Sequence, residues 1–398
     1  MCYHYSMNVT YEHTLALLAT ALHGRDYSID SDSFKAVFEE LKAQSVVALP
    51  AEIVNKLNLP LDLQMEYLKL VAKNVQQFHK IGKTQTEIIE ILNSQNIKFA
   101  VVKGFAASNN YPVPEQRCYG DIDILIEQDR FTDALNLLLD KGYEQEDHNN
   151  PRHASLVAPS GVEVEPHVKF SCTEDEDYNS MVDAILFGGL SDTETITVND
   201  YSLPILPDLQ NGLVLISHIN HHLAAGIGLR QIIDWMLYVE RRLDNKTWEQ
   251  YRSEYQKIGM ERLALVTTAA CKKHLGMNPD ITWADEFLNE SITEQFMEYV
   301  MKQGNFGTKD YTTSHTVRIF REFKNPIKGL ALAQKWGVNN WTAAKKYPVL
   351  KPFAWIYQII RWISRGSKRG LKVSDMKSLK SKENVETEFL KELGVTRI

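Results

Sequence analysis

The segment Gly120-Asp121-Ile122-Asp123-Ile124-Leu125-Ile126 is the most informative part of this sequence. Acidic and apolar residues alternate at its start, and a period of two predicts a β-strand with both carboxylates on one face. Two carboxylates directed the same way favour one or two divalent cations between them. A pair of such ions can bind the attacking and leaving oxygens of a phosphoryl transfer. The segment therefore predicts a metal site on a sheet strand.

Residues 97–104 precede this strand and predict a phosphate contact. They form a short apolar run that ends in Lys103-Gly104, and a helical pattern starts directly afterwards. Glycine at a strand-to-helix turn lets backbone N–H groups approach a phosphate closely, and the N-terminus of a helix adds positive potential. Lys103 contributes a full positive charge at the same point.

A third acid is predicted on a β-hairpin farther along the chain. Residues 154–170 contain two strand-like runs, and the Ser-Gly pair between them is typical of a hairpin turn. Alternation in the second run places Glu163, Glu165 and His167 on one face. A third carboxylate beside the two aspartates would complete a two-metal site.

Four motifs together resemble the uncharacterised bacterial nucleotidyltransferases of the DNA polymerase β-like superfamily. They are Lys103-Gly104, Arg117, Gly120-Asp121-Ile122-Asp123 and Val164-Glu165-Pro166-His167. The shared pattern is a glycine turn, then an aspartate pair on one strand, then a third acid on another strand. A later block at 226–235 resembles the family's helical region, so the resemblance covers roughly residues 35 to 240 by motif order. It implies an α+β fold with a small mixed-sheet, polymerase β-like core flanked by N-terminal and C-terminal helical regions.

The sequence departs from the superfamily pattern at two points. Lys103-Gly104 replaces the usual Gly-Ser turn, which changes the expected phosphate contacts. Pro166 follows the third acid where an aliphatic residue is more typical, and proline cannot donate a hydrogen bond to a sheet ladder.

The resemblance implies transfer of a nucleoside monophosphate from a nucleoside triphosphate, with ATP expected, to an acceptor. It also implies Mg²⁺ or Mn²⁺ as the cofactor. The implied catalytic and metal-binding residues are Asp121, Asp123 and Glu165, the motif favouring Glu165 over Glu163. The implied nucleotide-binding residues are Lys103, Gly104, Arg117 and Gly120. The residues expected to orient a carboxylate or to reach the nucleotide or acceptor are His167, His222, Arg230 and Gln231.

Each prediction has a plainer alternative. An Asp-x-Asp pair alone is typical of a solvated strand face, and only its combination with the glycine turn, the arginine and the third acid favours a metal. His167 is equally compatible with a surface histidine. Arg230 and Asp234 are four residues apart on a predicted helix, which favours an intrahelical ion pair. His218 and His222 share a helical face, but no third ligand at a suitable spacing supports a metal there.

Composition restricts the class of protein. The 398 residues are 44% hydrophobic and 24% charged, as in a globular protein with two or three packed units. A net charge of −7 excludes a nucleic-acid footprint over the whole surface, although a local basic patch would still allow contact with an RNA end. The four cysteines lack metal-type spacing, and no signal peptide or membrane-spanning run is recognisable, so a cytoplasmic location is expected.

The chain is predicted to have four regions. They are an N-terminal helical region at 1–95, a catalytic core at 96–206, a helical bundle at 207–340 and a basic amphipathic tail at 341–398. Apolar spacing predicts helices at 11–22, 33–47, 51–57 and 63–93, the last with Asp62 as its N-cap. The core is predicted to contain strands at 97–103, 121–126 and near Tyr143, a helix at 129–141 and the hairpin at 154–170. Pro207 and Asp208 predict the start of the bundle.

The tail has an unusual composition. Lys and Arg outnumber Asp and Glu from residue 341 onward, and residues 352–363 are rich in aromatic and aliphatic side chains. Such a segment can make peripheral contact with an anionic membrane surface. The favoured alternative is a terminal helix that packs on the bundle with its basic end in water.

The sequence leaves the acceptor open. A sugar phosphate, a small metabolite, a protein side chain and an RNA end all fit, although the acidic net charge disfavours a long nucleic acid. Two other classes fit the same residues. One is a toxin-type nucleotidyltransferase that modifies tRNA or protein, and the other is a non-catalytic scaffold that binds a nucleotide.

Overall fold

A mixed five-stranded sheet forms the core of the central region. The computed structural model describes residues 7–25, 27–147, 152–171, 175–223, 226–309, 325–368 and 376–395. The strands are β1 Phe99–Val102, β2 Ile122–Ile126, β3 Glu144–Asp147, β4 Ser155–Val157 and β5 Glu163–His167. Their order is β1-β2-β5-β4-β3, in which β2 and β5 run parallel and the other neighbours antiparallel. This sheet and the helices around it confirm the predicted α+β class.

The register of the sheet sets its functional face. Asp123 on β2 lies opposite Glu165 on β5, and Val102 at the end of β1 lies opposite Asp123. The predicted hairpin between β4 and β5 is confirmed, with Gly161 in its turn at a φ of 75°. Residues of β1, β2 and β5 therefore lie side by side around Asp123.

Pro166 lies inside β5 without interrupting the β2–β5 ladder. The nitrogen and the carbonyl oxygen of one residue point to the same edge of a strand. The carbonyl oxygen of Pro166 accepts the N–H of Ala154 at 3.0 Å. The missing N–H of the proline therefore faces the segment just before β4, and no bond between the two acid-bearing strands is lost.

Four described helices precede the sheet, as the apolar spacing predicted. They are α1 Val9–His23, α2 Ser31–Ala43, α3 Ala51–Val54 and α4 Leu61–Asn93. The prediction of Asp62 as an N-cap is wrong, because the extended Pro60 is the cap and Asp62 lies in the first turn. Its charge still complements the helix dipole there. The far half of α4 supports the sheet, where Phe78 stacks on Phe105 with ring centroids 4.9 Å apart.

Several further elements complete the core. The sequence indicated α5 Gly104–Ser108 and α6 Phe131–Asp140 but not α7 Glu176–Gly188, β6 Glu194–Val198 and β7 Tyr201–Ile205. β6 and β7 form a separate antiparallel pair in which Val198 is the only buried residue of β6, so its apolar alternation is weak. β7 lies against β1 and α4 and covers part of the sheet.

A helical bundle follows the core and begins at Asp208, as predicted. It contains α8 Asp208–Leu223, α9 Leu229–Arg242, α10 Asn245–Lys257, α11 Glu261–Leu275 and α12 Ser291–Gln303. α9 is buried along most of its length, with Trp235 fully enclosed. The helix Met376–Glu392 returns to this bundle, where Phe389 contacts Tyr299 at 5.2 Å between ring centroids.

A helical hairpin lies between α12 and that last helix. It consists of Pro326–Asn340, Thr342–Lys346, a 3₁₀ turn at Pro348–Phe353, and Ala354–Lys368. The two long helices pack against each other, and Trp341 stacks on Tyr357 at 5.1 Å. The aromatic tail helix is thus packed on helical structure, yet its Ile360 remains 61% exposed, and Phe353 in the turn before it remains 56% exposed. Within the described ranges, every helix is too short or too polar to cross a bilayer.

Candidate active site

Three carboxylates converge where β2 and β5 lie side by side. Asp121 immediately precedes β2, Asp123 lies within it, and Glu165 is opposite on β5. One oxygen of each lies within 4.8 Å of the others, as the strand alternation predicted. Asp123 is 5% exposed, whereas Asp121 and Glu165 are half-buried and line a cleft. Oxygen donors at this spacing suit a hard divalent cation.

Lys103 places a positive charge beside the acids. Its Nζ donates to Oδ1 of Asp123 at 2.7 Å. The residue has a φ of 56°, a left-handed conformation that a non-glycine residue holds only where its surroundings impose it. Gly104 follows at a φ of 25°, and a Cβ there would approach only the carbonyl oxygen of Asp121, at 3.8 Å. Because α5 has five residues, its N-terminus adds less positive potential than the sequence pattern implied.

The surroundings shift the pKa values of Asp123 and Glu165 in opposite directions. Burial alone would raise the pKa of Asp123, but the Lys103 ammonium and the hydrogen bond from His167 outweigh burial and hold that pKa well below its usual range. Burial, and then repulsion from Asp123 and Asp121, raises the pKa of Glu165 to about 7. Asp123 is therefore an anion at neutral pH, whereas Glu165 can gain or lose a proton there.

Two histidines contact the same carboxylates. Nε2 of His167 donates to Oδ1 of Asp123 at 2.9 Å and lies 3.8 Å from Oε2 of Glu165. His167 is 6% exposed, so it is not a surface histidine. Nε2 of His153 lies 3.4 Å from Oε1 of Glu165. Sequence reasoning missed His153, which forms an isolated antiparallel bridge with His167; extending the hairpin register by a few residues would have found it.

A wall whose positive charge comes from Arg230, here called the basic wall, faces the acids across a cleft of about 240 Å³. His218 and His222 of α8 lie in it with ring centroids 4.5 Å apart, so the face they share is directed at the cleft. Arg230 of α9 also lines the cleft, and its Nη1 donates to the carbonyl oxygen of Cys118 at 3.3 Å. The cleft residues that the sequence did not single out are Arg152, His153, His221 and Phe306. An acidic floor below a basic wall suits a polyphosphate with its metal ion.

Arg117 has a different partner from the phosphate predicted for it. Its Nε and Nη2 donate to Oδ1 and Oδ2 of Asp234, each at 2.8 Å, and the hydroxyl of Tyr111 donates to Oδ1 at 2.8 Å. The prediction that Arg230 pairs with Asp234 is therefore wrong. Arg117 takes both carboxylate oxygens because its planar guanidinium presents two parallel donors to them. This buried pair joins the segment before β2 to α9.

The two remaining predicted residues differ in position. Gly120 lines the cleft directly before Asp121. Gln231 is 2% exposed, and its Nε2 donates to Oδ1 of Asn305 at 3.0 Å. The structure therefore places Gly120 beside the acids and gives Gln231 a partner in the interior of the bundle.

Comparison with known proteins identifies a family. A crystal structure of an antigenic nucleotidyltransferase-like protein from Paracoccidioides brasiliensis matches with 15% identity and a TM-score of 0.35, covering 52% of this chain and 97% of that one. The comparison with curated proteins gives no match. The family described as "Uncharacterised nucleotidyltransferase" matches residues 30–276, more than half of the chain. The chain therefore belongs to this family of uncharacterised nucleotidyltransferases.

Proposed function

We propose that this protein is a metal-dependent nucleotidyltransferase. It would move a nucleoside monophosphate from a nucleoside triphosphate, with ATP as the expected donor, to an acceptor hydroxyl or phosphate. The observation that carries the proposal is the convergence of Asp121, Asp123 and Glu165 opposite a basic wall in one cleft. Such a cleft offers what a metal-bound triphosphate requires, and membership of the family supports the same class.

The three carboxylates fit a hard divalent cation, Mg²⁺ or Mn²⁺. They offer oxygen donors from two neighbouring strands, all within 4.8 Å of one another. Asp121, Asp123 and Glu165 would therefore hold the ion. When bound, it would neutralise charge on the phosphates and on the leaving pyrophosphate.

The chain's own groups would bind the donor and move a proton. Lys103 and the backbone of Gly104 line the cleft beside the acids, and Arg230 lines its basic wall, so these groups would bind phosphate oxygens. The acceptor oxygen would attack the α-phosphorus, the bond from that phosphorus to the pyrophosphate oxygen would break, and the acceptor proton would pass to Glu165. Arg117 would act indirectly, by holding α9 and hence Arg230 in place.

The acceptor would lie beside the α8 histidines. Burial and the neighbouring His221 lower the pKa of His222 to about 3, so its imidazole is neutral and can bind a hydroxyl group. A cleft of about 240 Å³ favours an acceptor that presents one small group, whether on a sugar phosphate, a metabolite, a protein side chain or an RNA end. The net charge of −7 disfavours a long nucleic acid.

Transfer of label from α-³²P nucleoside triphosphates tests the proposal. The purified protein would be incubated with each triphosphate in turn, with Mg²⁺ or Mn²⁺, and with a cell extract as the source of acceptor. Glu165→Gln is expected to abolish labelling and pyrophosphate release. Glu163→Gln is the matched control, because Glu163 is exposed on the same strand, and it should retain both.

The same assay separates the alternatives. Triphosphate binding without pyrophosphate release in the wild type would support the non-catalytic scaffold and overturn the proposal. Label recovered on tRNA or on a protein, together with growth arrest that Asp121→Ala relieves, would assign the toxin class. Label on a small molecule would assign a metabolic acceptor.

A further inference from the structure

A second ligand cluster shares Glu165 with the acidic triad. One ligand atom each of His153, Glu165 and His167 lies within 4.8 Å of the others. We propose that these three residues bind a divalent transition-metal ion, so that Glu165 lies between an all-oxygen position and a position with two imidazole nitrogens. This inference does not depend on nucleotidyl transfer, because it concerns metal binding by the chain alone.

The distances are close to those of a bound ion. Ligands at about 2.0 to 2.2 Å from a tetrahedral metal are roughly 3.3 Å from one another. Nε2 of His153 lies 3.4 Å from Oε1 of Glu165, and Nε2 of His167 lies 3.8 Å from Oε2. All three ligand atoms lie within 4.8 Å of one another, so a small movement of the side chains would bring them around one ion. Two histidines and one carboxylate leave further coordination positions open for water or a ligand.

The backbone and the surroundings hold the two imidazoles in place. His153 and His167 face each other across an isolated β-bridge, with ring centroids 4.9 Å apart. Their side chains are 9% and 7% exposed. Metal binding through Nε2 of His167 requires the ring proton on Nδ1, so the metal would replace the hydrogen bond from Nε2 to Asp123.

The chemistry of the donors distinguishes this position from the aspartate pair. Carboxylate oxygens suit Mg²⁺, whereas imidazole nitrogen suits zinc, iron, cobalt and related ions. The competing interpretation is that the histidines only orient carboxylates, as the hydrogen bond from His167 to Asp123 would allow. The two interpretations differ in which metal loses affinity when a histidine is replaced.

Metal titration of the full-length protein, stripped of metal and without nucleotide, tests the proposal. Co²⁺ binding would be followed by its visible ligand-field absorption, and Zn²⁺ and Mg²⁺ binding by calorimetry. His153→Gln is expected to weaken Co²⁺ and Zn²⁺ binding by at least about 10-fold and to change the Co²⁺ spectrum, while Mg²⁺ affinity stays within about 2-fold. His167→Gln should have the same selective effect. His79→Gln is the matched control, because His79 is exposed and bonds to Tyr201, and it should leave all three metals unaffected.

Circular dichroism of each variant establishes that it is folded before titration. Unchanged Co²⁺ affinity and an unchanged spectrum in folded His153→Gln would overturn the proposal. An equal loss of Mg²⁺ and Co²⁺ affinity would overturn it as well, because the histidines would then act only through the carboxylates. Absence of nucleotidyl transfer in the labelling assay has no bearing on either result, since the titration contains no nucleotide.

Discussion

Replacing Arg117 by methionine should strongly destabilise the protein. Arg117 and Asp234 are 4% and 2% exposed as side chains and are joined by two parallel hydrogen bonds of 2.8 Å. Methionine removes one charge and leaves Asp234 buried, with the hydroxyl of Tyr111 as the remaining side-chain donor to its carboxylate among the described residues. Breaking one half of such a buried pair typically costs about 3 to 5 kcal/mol, a large part of the stability of an ordinary domain.

Urea unfolding followed by circular dichroism measures this loss. The double variant Arg117→Met/Asp234→Leu should recover most of it, because no unpaired charge then remains in the interior. Arg130→Met is the matched control: its pair with Asp133 is solvent-exposed, so the unfolding midpoint should hardly change.

The outcome also decides the role of Arg117 in the cleft. A loss below about 1 kcal/mol in Arg117→Met would refute the reasoning, since pairs of that strength are typical of the surface. Unchanged unfolding together with lost triphosphate binding would return Arg117 to the phosphate role that the sequence resemblance implied. If Arg117 instead serves to hold Asp234, the substitution should change stability more than it changes triphosphate binding.

Three other predictions concern the site, pH and the tail. Lys103→Ala should weaken triphosphate binding, whereas Asp123→Asn should largely keep binding and stop turnover, because a lost metal ligand removes mainly transition-state stabilisation. Calorimetry measures the affinity of both variants, and an equal loss in both would contradict these separate roles. The pKa of His222 is about 3 in the folded protein and about 6.5 when unfolded, so the unfolded state binds the proton first as the pH falls. The free energy of unfolding is therefore unaffected above pH 6.5 and decreases at lower pH, by up to about 2 kcal/mol at pH 5. His222→Gln should make the unfolding midpoint depend less steeply on pH between 6.5 and 5, and identical curves for both proteins would count against the buried neutral imidazole. Ile356 and Ile360 are 40% and 61% exposed, so the protein should float weakly with anionic vesicles, in a salt-sensitive way. Glutamate at both positions should abolish this flotation, whereas strong salt-resistant binding would show a deeper membrane contact.

The sequence predicted those parts of the core that depend on local pattern. Alternation around Asp123 and Glu165 indicated two strands and the faces that their acids occupy, because side chains of a strand alternate by geometry alone. Apolar spacing likewise indicated the helices before the sheet and the start of α8. The pattern failed at β6, where one buried residue leaves no clear alternation, and at α7.

The chemical type of the site residues and the strand faces that carry them were thus determined by the sequence itself, since they follow from neighbouring residues and backbone geometry. Which side chains contact one another was decided by the tertiary structure. His153 meets Glu165 only because the hairpin register continues before β4, and Arg117 reaches Asp234 across 117 residues of chain. Helical spacing favoured Arg230 for that aspartate, but a bidentate buried guanidinium binds a carboxylate more strongly than an i, i+4 neighbour on the helix surface. Contacts of this kind are selected by the packing of distant elements, and no local pattern records them.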